Sequence, residues 1–177
     1  MRAALLALCL AAAPAAAQEW VLHDSGELRA DHGDWLAVCA DGGAGPCRAV
    51  QTFADPGSDA YFDGRLALHL GVDGGWTIEV MDRGLPAERV GAMNFTFGTD
   101  VVDVPLSAIR PGDIGGGPAA DTVTLDLPEL TRDLVARIAA AARVTVNYAP
   151  SGDGDGVARF SLRGSRAALE AVAARQD

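Results

Sequence analysis

Leu66, Leu68 and Leu70 alternate with Arg65, Ala67 and His69, and shortly afterwards Trp76, Ile78 and Val80 alternate with Thr77 and Glu79. A period of two marks strands buried on one face, because successive side chains point to opposite sides of a sheet. Asp73-Gly74 lies between the two runs. Glycine accepts the positive φ of a primed turn, so 65–70 and 76–81 are expected to form a hairpin. Shorter apolar runs bounded by turn residues predict strands at 19–23 and 35–39. Another strand is expected at 48–53, with Ala49, Val50 and Phe53 as core positions. Residues 93–97 and 101–104 read as a second hairpin around Gly98-Thr99-Asp100, and 143–148 with 157–162 as a third. Between them, Arg110 to Ala120 is rich in Pro and Gly and reads as a loop, with a strand resuming at Thr122–Leu127.

Only two segments carry a helical period. From Leu127 to Ala142, Leu130, Leu134, Ile138 and Ala142 recur every fourth residue. Asp126 and Glu129 have capping-box spacing at its start, and Pro128 is tolerated in a first turn. The second helix is expected over Arg166–Arg175, N-capped by Ser165, with Leu169, Val172 and Ala173 on its apolar side. The predicted class is therefore mainly β, about nine strands in a single antiparallel β-sandwich-like domain with two short helices in the C-terminal part.

The first residues change the picture of where this domain works. Met1-Arg2 is a short positive start, Ala3 to Ala13 is apolar, Pro14 breaks the run, and Ala15-Ala16-Ala17 has the small residues that signal peptidase accepts. The apolar run is too short for the roughly 20 residues a membrane span needs. Residues 1–17 are therefore expected to be a cleaved signal peptide and 18–177 the β-rich domain, periplasmic or secreted, with no membrane insertion after cleavage. Cys9, preceded by Leu8 instead of a small residue, does not fit a lipoprotein anchor and goes with the leader. Once Arg2 is removed, 13 Arg face 24 acidic residues, a net charge of about −11, and Lys is absent. Such a chain repels phosphate backbones and anionic headgroups, which argues against nucleic acid or a membrane surface as partner.

Two cysteines remain, Cys39 and Cys47, separated by a seven-residue insert holding three Gly and a Pro. An even count in an exported chain points to a disulfide. The rival readings, a redox pair or a metal site, lack a Cys-x-x-Cys spacing and further ligands placed to complete a zinc centre. A structural Cys39–Cys47 bond is expected, stabilising by roughly 2–3 kcal/mol in the chain-entropy model.

Gly33-Asp34-Trp35-Leu36-Ala37-Val38-Cys39, followed by Pro46-Cys47-Arg48-Ala49-Val50-Gln51, resembles the opening of the invasion-associated locus B family of small exported bacterial proteins. The C-terminal part is similar too: Phe160-Ser161-Leu162-Arg163-Gly164 leads into a helix beginning with Ala167-Ala168-Leu169. Two features depart from the family pattern: there is no second central cysteine pair, and Ser165 stands where a Phe is usual. The resemblance implies a β-rich accessory protein of the periplasm or cell surface, from a family linked to host-cell invasion in pathogens. It brings no catalytic residues.

The remaining chemistry is thin. His23, His32 and His69 are the only imidazoles, and no nucleophile elbow, zinc-protease helix or phosphate loop occurs. His32 lies among Asp31, Gly33 and Asp34, a polar turn or a metal-binding loop, and His69 falls on the polar face of its strand. Ser151-Gly152-Asp153-Gly154-Asp155-Gly156 is half of a calcium loop, without the third acid or the terminal Glu, and reads as a hairpin tip. Gly115-Gly116-Gly117-Pro118 reads as a loop breaker. Asn94-Phe95-Thr96 matches a glycosylation acceptor inside a predicted strand. Trp35 and Trp76 read as core, and Trp20 is a third candidate for a ligand face. No catalytic, cofactor-binding or metal-binding residue is assigned. The expectation is a non-catalytic domain binding another protein or an envelope component. The alternatives are a divalent-cation-dependent binder using the loops near Asp31 and Asp153, and a hydrolase relying on His32 or His69.

Overall fold

The computed structural model describes residues 19–113, 118–150 and 155–176. The expected leader, the tip Ser151–Gly154 and Gly115–Gly117 lie outside the described residues. Among these described residues, twelve strands form two antiparallel sheets. The large sheet runs, in spatial order, through β1 (Val21–Leu22), β2 (Leu28–His32), β3 (Trp35–Cys39), β4 (Cys47–Phe53), β5 (Gly64–Leu70), β6 (Trp76–Asp82), β10 (Pro118–Leu125) and β9 (Ile109–Asp113). The small sheet is ordered β12 (Gly156–Ser161), β11 (Arg143–Pro150), β7 (Val90–Phe97) and β8 (Asp100–Val104). Helix α1 (Pro128–Ala140) packs on β6, and α2 (Ser165–Gln176) packs on β2 to β5 and on α1. The small sheet and the helices thus cover one face of the large sheet.

The period-two pattern decides which face is covered. Leu66, Leu68, Leu70, Ile78 and Val80 are all buried and join Trp35, Ala37, Ala49, Phe95, Phe160, Leu134 and Ile138 in one core. The two layers meet where Phe160 sits edge-on to Phe53, ring centroids 5.4 Å apart. At the other end the Tyr148 hydroxyl donates to Asp82 at 2.9 Å, tying β11 to the end of β6. Burial and this acceptor hold the phenol proton on, so its pKa lies well above the usual tyrosine value.

Several expectations are corrected. The Arg110–Ala120 stretch is strand where it is described: Arg110 to Asp113 belong to β9, and β10 begins at Pro118. β9 is an edge strand, the position in a sheet that tolerates a proline such as Pro111. β2 adds a strand that the pattern did not predict. The first hairpin forms, with Leu70 opposite Trp76. Its loop is three residues rather than a two-residue primed turn: the Gly71 N–H donates to the Gly75 carbonyl and Gly74, at φ +77°, takes the left-handed position. Val50 points away from the core, because Cys47, Ala49 and Gln51 are the inward positions of β4. The capping box does not form. Pro128 disfavours helical backbone at the residue before it, so the helix starts one position later, with Leu127 as an N-cap making no side-chain bond. Ser165 is not an N-cap either: its buried hydroxyl donates to the Ile138 carbonyl at 2.7 Å and ties α2 to α1. On α2, Ala168, Leu169 and Val172 are buried and Ala173 is exposed.

One close approach joins the β2–β3 turn to the start of α2. A Cβ on Gly164, whose φ is +95°, would lie 1.7 Å from the His32 carbonyl oxygen. Gly98, at φ +66° in the two-residue turn between β7 and β8, has open space around it. Gly164→Ala is therefore expected to cost several kcal/mol, on the order of a strained and overpacked core site, and Gly98→Ala about 1 kcal/mol. Urea unfolding of the two variants checks the order; equal losses would mean the turn has room to move.

Candidate binding surface

The two motifs that carried the resemblance meet in space. The Trp35 indole N–H donates to the Ser161 carbonyl at 2.9 Å, and the Asp34 amide donates to the Arg163 carbonyl at 3.0 Å. The Ser161 hydroxyl donates to Asp34 Oδ2 at 2.6 Å, and the Arg163 guanidinium pairs with the same carboxylate. Bonding from Arg163, then from Ser161, holds the Asp34 carboxyl below the usual carboxylate range. Trp35, at 1% exposure, is wholly in the core. This clasp closes the far end of the sandwich and sets the position of β2 and β3 relative to α2.

The Cys39–Cys47 disulfide is present, with the two residues directly opposite each other in the β3–β4 register. Both cysteines are buried in the core, and the insert between them forms a short 3-10 turn at Asp41–Gly43.

The inward alternation of β2 to β6 leaves a second, outward set of side chains, and these build a surface trough. Leu36, Val50 and Ala67 lie side by side across β3, β4 and β5 in register. They floor an open trough of about 490 Å³. A further concavity of about 420 Å³ at the β1 edge shares Arg29, Asp31 and Leu36 with it. Charged side chains wall the trough in fixed pairs. Glu27 accepts from Arg29 at 2.5 Å and from Arg48 at 2.8 Å, and Glu79 accepts from Arg65 at 2.7 Å. These side chains are one-seventh to one-third exposed, and their stems bury Val38 and Ala67 on what is nominally the outer face. Bonding from Arg29 leads the causes that lower the Glu27 pKa, in spite of burial. Burial pushes Glu79 up, and His69 and Arg65 together more than offset it.

An exposed tyrosine stands on the rim. Asp63 accepts from the Asp55 amide at 2.7 Å, the Ser58 hydroxyl at 2.8 Å and Arg83 at 3.0 Å, which organises the β4–β5 connection. The same contacts, led by the Asp55 amide, depress its pKa. This connection holds Phe62 against the Arg65 guanidinium, 5.6 Å from the ring centroid, and leaves Tyr61 96% exposed.

The histidines do not converge. His23 bonds to Ser25 in the exposed β1–β2 turn. His32 is at the end of β2 with its Nε2 buried and without a protein partner, and burial lowers its pKa. His69 lines the trough, 3.7 Å from Glu79, beyond hydrogen-bond distance. Asp31 is exposed while Asp34 is committed to the clasp, and among the described residues no three His, Cys, Asp or Glu side chains gather as a metal site. Asp153 lies outside the described residues. Trp76 packs against the core from a half-buried position, and Trp20 stacks under Arg175, 5.4 Å from its ring centroid. Asn94 lies in β7 and accepts from Asn147 at 2.8 Å. Sequence reasoning missed Glu27, Arg29, Arg48, Arg65 and Tyr61. The outward positions of the alternating strands were the available signal for Arg65 and Arg48.

No family model and no curated protein matches this chain. The fold is that of a solved structure: the crystal structure of invasion associated protein B from Bartonella henselae superposes with a TM-score of 0.59 at 16% identity. The match covers 84% of this chain and 98% of that one. The neighbour thus has the architecture that the sequence motifs implied. Among the described residues no helix is long and apolar enough to cross a membrane.

The perturbed groups predict a two-step acid response. Burial lowers the pKa of His32 on folding, so the unfolded chain takes up the proton first, and stability starts to fall below the ordinary histidine value of 6.5. Asp34 is depressed, so its contribution is complete above 3.8 and is lost as pH drops through its folded pKa. Urea midpoints between pH 7 and pH 3 are expected to lose the first step in His32→Asn and to lose part of the second in Asp34→Asn. A profile unchanged in both variants would contradict the assignment.

Proposed function

We propose that this protein is an exported, non-catalytic accessory protein of the bacterial envelope that binds another protein or an envelope component through the trough on the large sheet. Four observations support the reading: a leader-like N-terminus, a disulfide, the resemblance to the invasion-associated locus B family, and a fold shared with an invasion associated protein. The observation that carries it is the trough itself. Its guanidinium and carboxylate groups are held in position before any partner arrives, and an exposed tyrosine stands beside them. Arg and Tyr contribute disproportionately to interface energies, and preorganised side chains lose little entropy on binding.

The test is site-specific photocrosslinking in intact cells, with a photoreactive residue replacing Tyr61 on the rim or, as a control, the exposed Glu170 on α2. A discrete adduct from position 61 and none from position 170 is expected. Adducts from position 170 alone, or equally from both, would place the binding surface elsewhere.

A further inference from the structure

We propose that Gln18 becomes the first residue of the exported chain and closes on itself as a pyroglutamate, so that the mature protein starts with a lactam in place of a free amine. The inference rests on the exported reading and adds a modification site to it.

Sequence and fold bracket the new chain start from opposite sides. Ala15-Ala16-Ala17 sets small side chains where signal peptidase requires them, so the cut leaves Gln18 first. A cut one residue later would put Gln18 itself, long and polar, at the position that calls for a small residue. The fold sets the other limit. Trp20 is half-buried, packs against the core and lies under the Arg175 guanidinium, 5.4 Å from its ring centroid, so the mature chain has to include it. Between the cut and this first packed ring stand only Gln18 and Glu19, and Glu19 is exposed.

The chemistry needs no co-reactant. The α-amino nitrogen of Gln18 attacks its own side-chain carbonyl carbon Cδ, and a lactam ring forms. The Cδ–Nε2 bond breaks, and ammonia leaves with a proton given up by the amine. In the leader-bearing chain the same nitrogen is an amide, its lone pair delocalised into the neighbouring carbonyl and a poor nucleophile. Cleavage turns it into an amine with a pKa of about 8, partly unprotonated at neutral pH. Removal of the leader is therefore the step that permits closure.

The ring removes the terminal positive charge and the free amine on which aminopeptidases act. Its position gives that protection a purpose in this fold. Loss of Gln18 and Glu19 would leave Trp20, with its contacts to the core and to Arg175, as the end of the chain, directly before β1.

The experiment is intact-mass and N-terminal peptide spectrometry of the protein made with its own leader in a bacterium and harvested promptly from the periplasm. The expected species is 18–177, lighter than the open chain by about 17 Da, the mass of ammonia. Gln18→Ala is expected to be cleaved at the same bond and to show no such loss. Treated with an aminopeptidase, the wild type is expected to stay intact and the variant to lose residues 18 and 19. A chain starting at 18 with an open glutamine, a ring that forms only on storage, or equal trimming of the two proteins would overturn the proposal and leave export standing. So would a chain cleaved at another bond. A full-length chain that keeps residues 1–17 would overturn the exported reading and the proposal together.

Discussion

A single hydrogen bond between the two ends of the chain, from the Trp35 indole to the Ser161 carbonyl, organises the closed end of this molecule. An indole buried without an acceptor would lose the desolvation cost of its N–H, about 1–3 kcal/mol, so the ring enters the core only where Ser161 waits for it. Around that bond the backbone of Asp34 reaches Arg163, the Asp34 carboxylate takes the Ser161 hydroxyl and the Arg163 guanidinium, and Gly164 lets the His32 carbonyl approach closer than any side chain permits. The interactions are individually modest, and their joint effect is geometric. They bring the β2–β3 turn against the start of α2, so one strand order serves both the core and the outer face.

The outer face follows from that placement. Once Trp35, Ala37 and Cys39 point inward, Leu36 and Val38 must point outward, and the register carries the same choice through Arg48 and Val50 to Arg65, Ala67 and His69. The long arginine stems cover the small apolar residues beneath them, and Glu27 and Glu79 hold the guanidinium heads. A slip of one residue in β3 would exchange its two faces, turning Leu36 and Val38 into the core and Trp35, Ala37 and Cys39 out of it. Core and trough are thus two consequences of one register.

Much of this was legible in the chain. The strand at Trp35–Cys39, the hairpin through Asp73-Gly74, both helices, the cysteine pair and the meeting of β11 with β12 follow from alternation, spacing and turn chemistry, and the neighbouring solved structure has the fold that the Gly33-Asp34-Trp35 motif implied. β2 was hidden because Leu28-Arg29-Ala30-Asp31-His32 buries only Ala30 and so presents almost no apolar stripe. β9 was hidden because Pro111 and Gly112 are tolerated at a sheet edge and mimic a loop. The helix caps were misjudged because Pro128 shifts the helix start past Asp126, and because Ser165 spends its hydroxyl on the neighbouring helix. The trough was out of reach for a different reason. Glu27, Arg29, Arg48, Arg65 and Glu79 lie on separate stretches of chain, and only the strand pairing brings them together.

The clasp is therefore the claim to test most directly, by native-state hydrogen exchange read at the Trp35 indole N–H and the Asp34 amide. Both should exchange only through global unfolding, with the same free energy and denaturant dependence as the central amides of β4 and β5. Exchange of these two protons by a local opening, well before the central strands, would show that the sandwich holds its register without the clasp and would contradict the account.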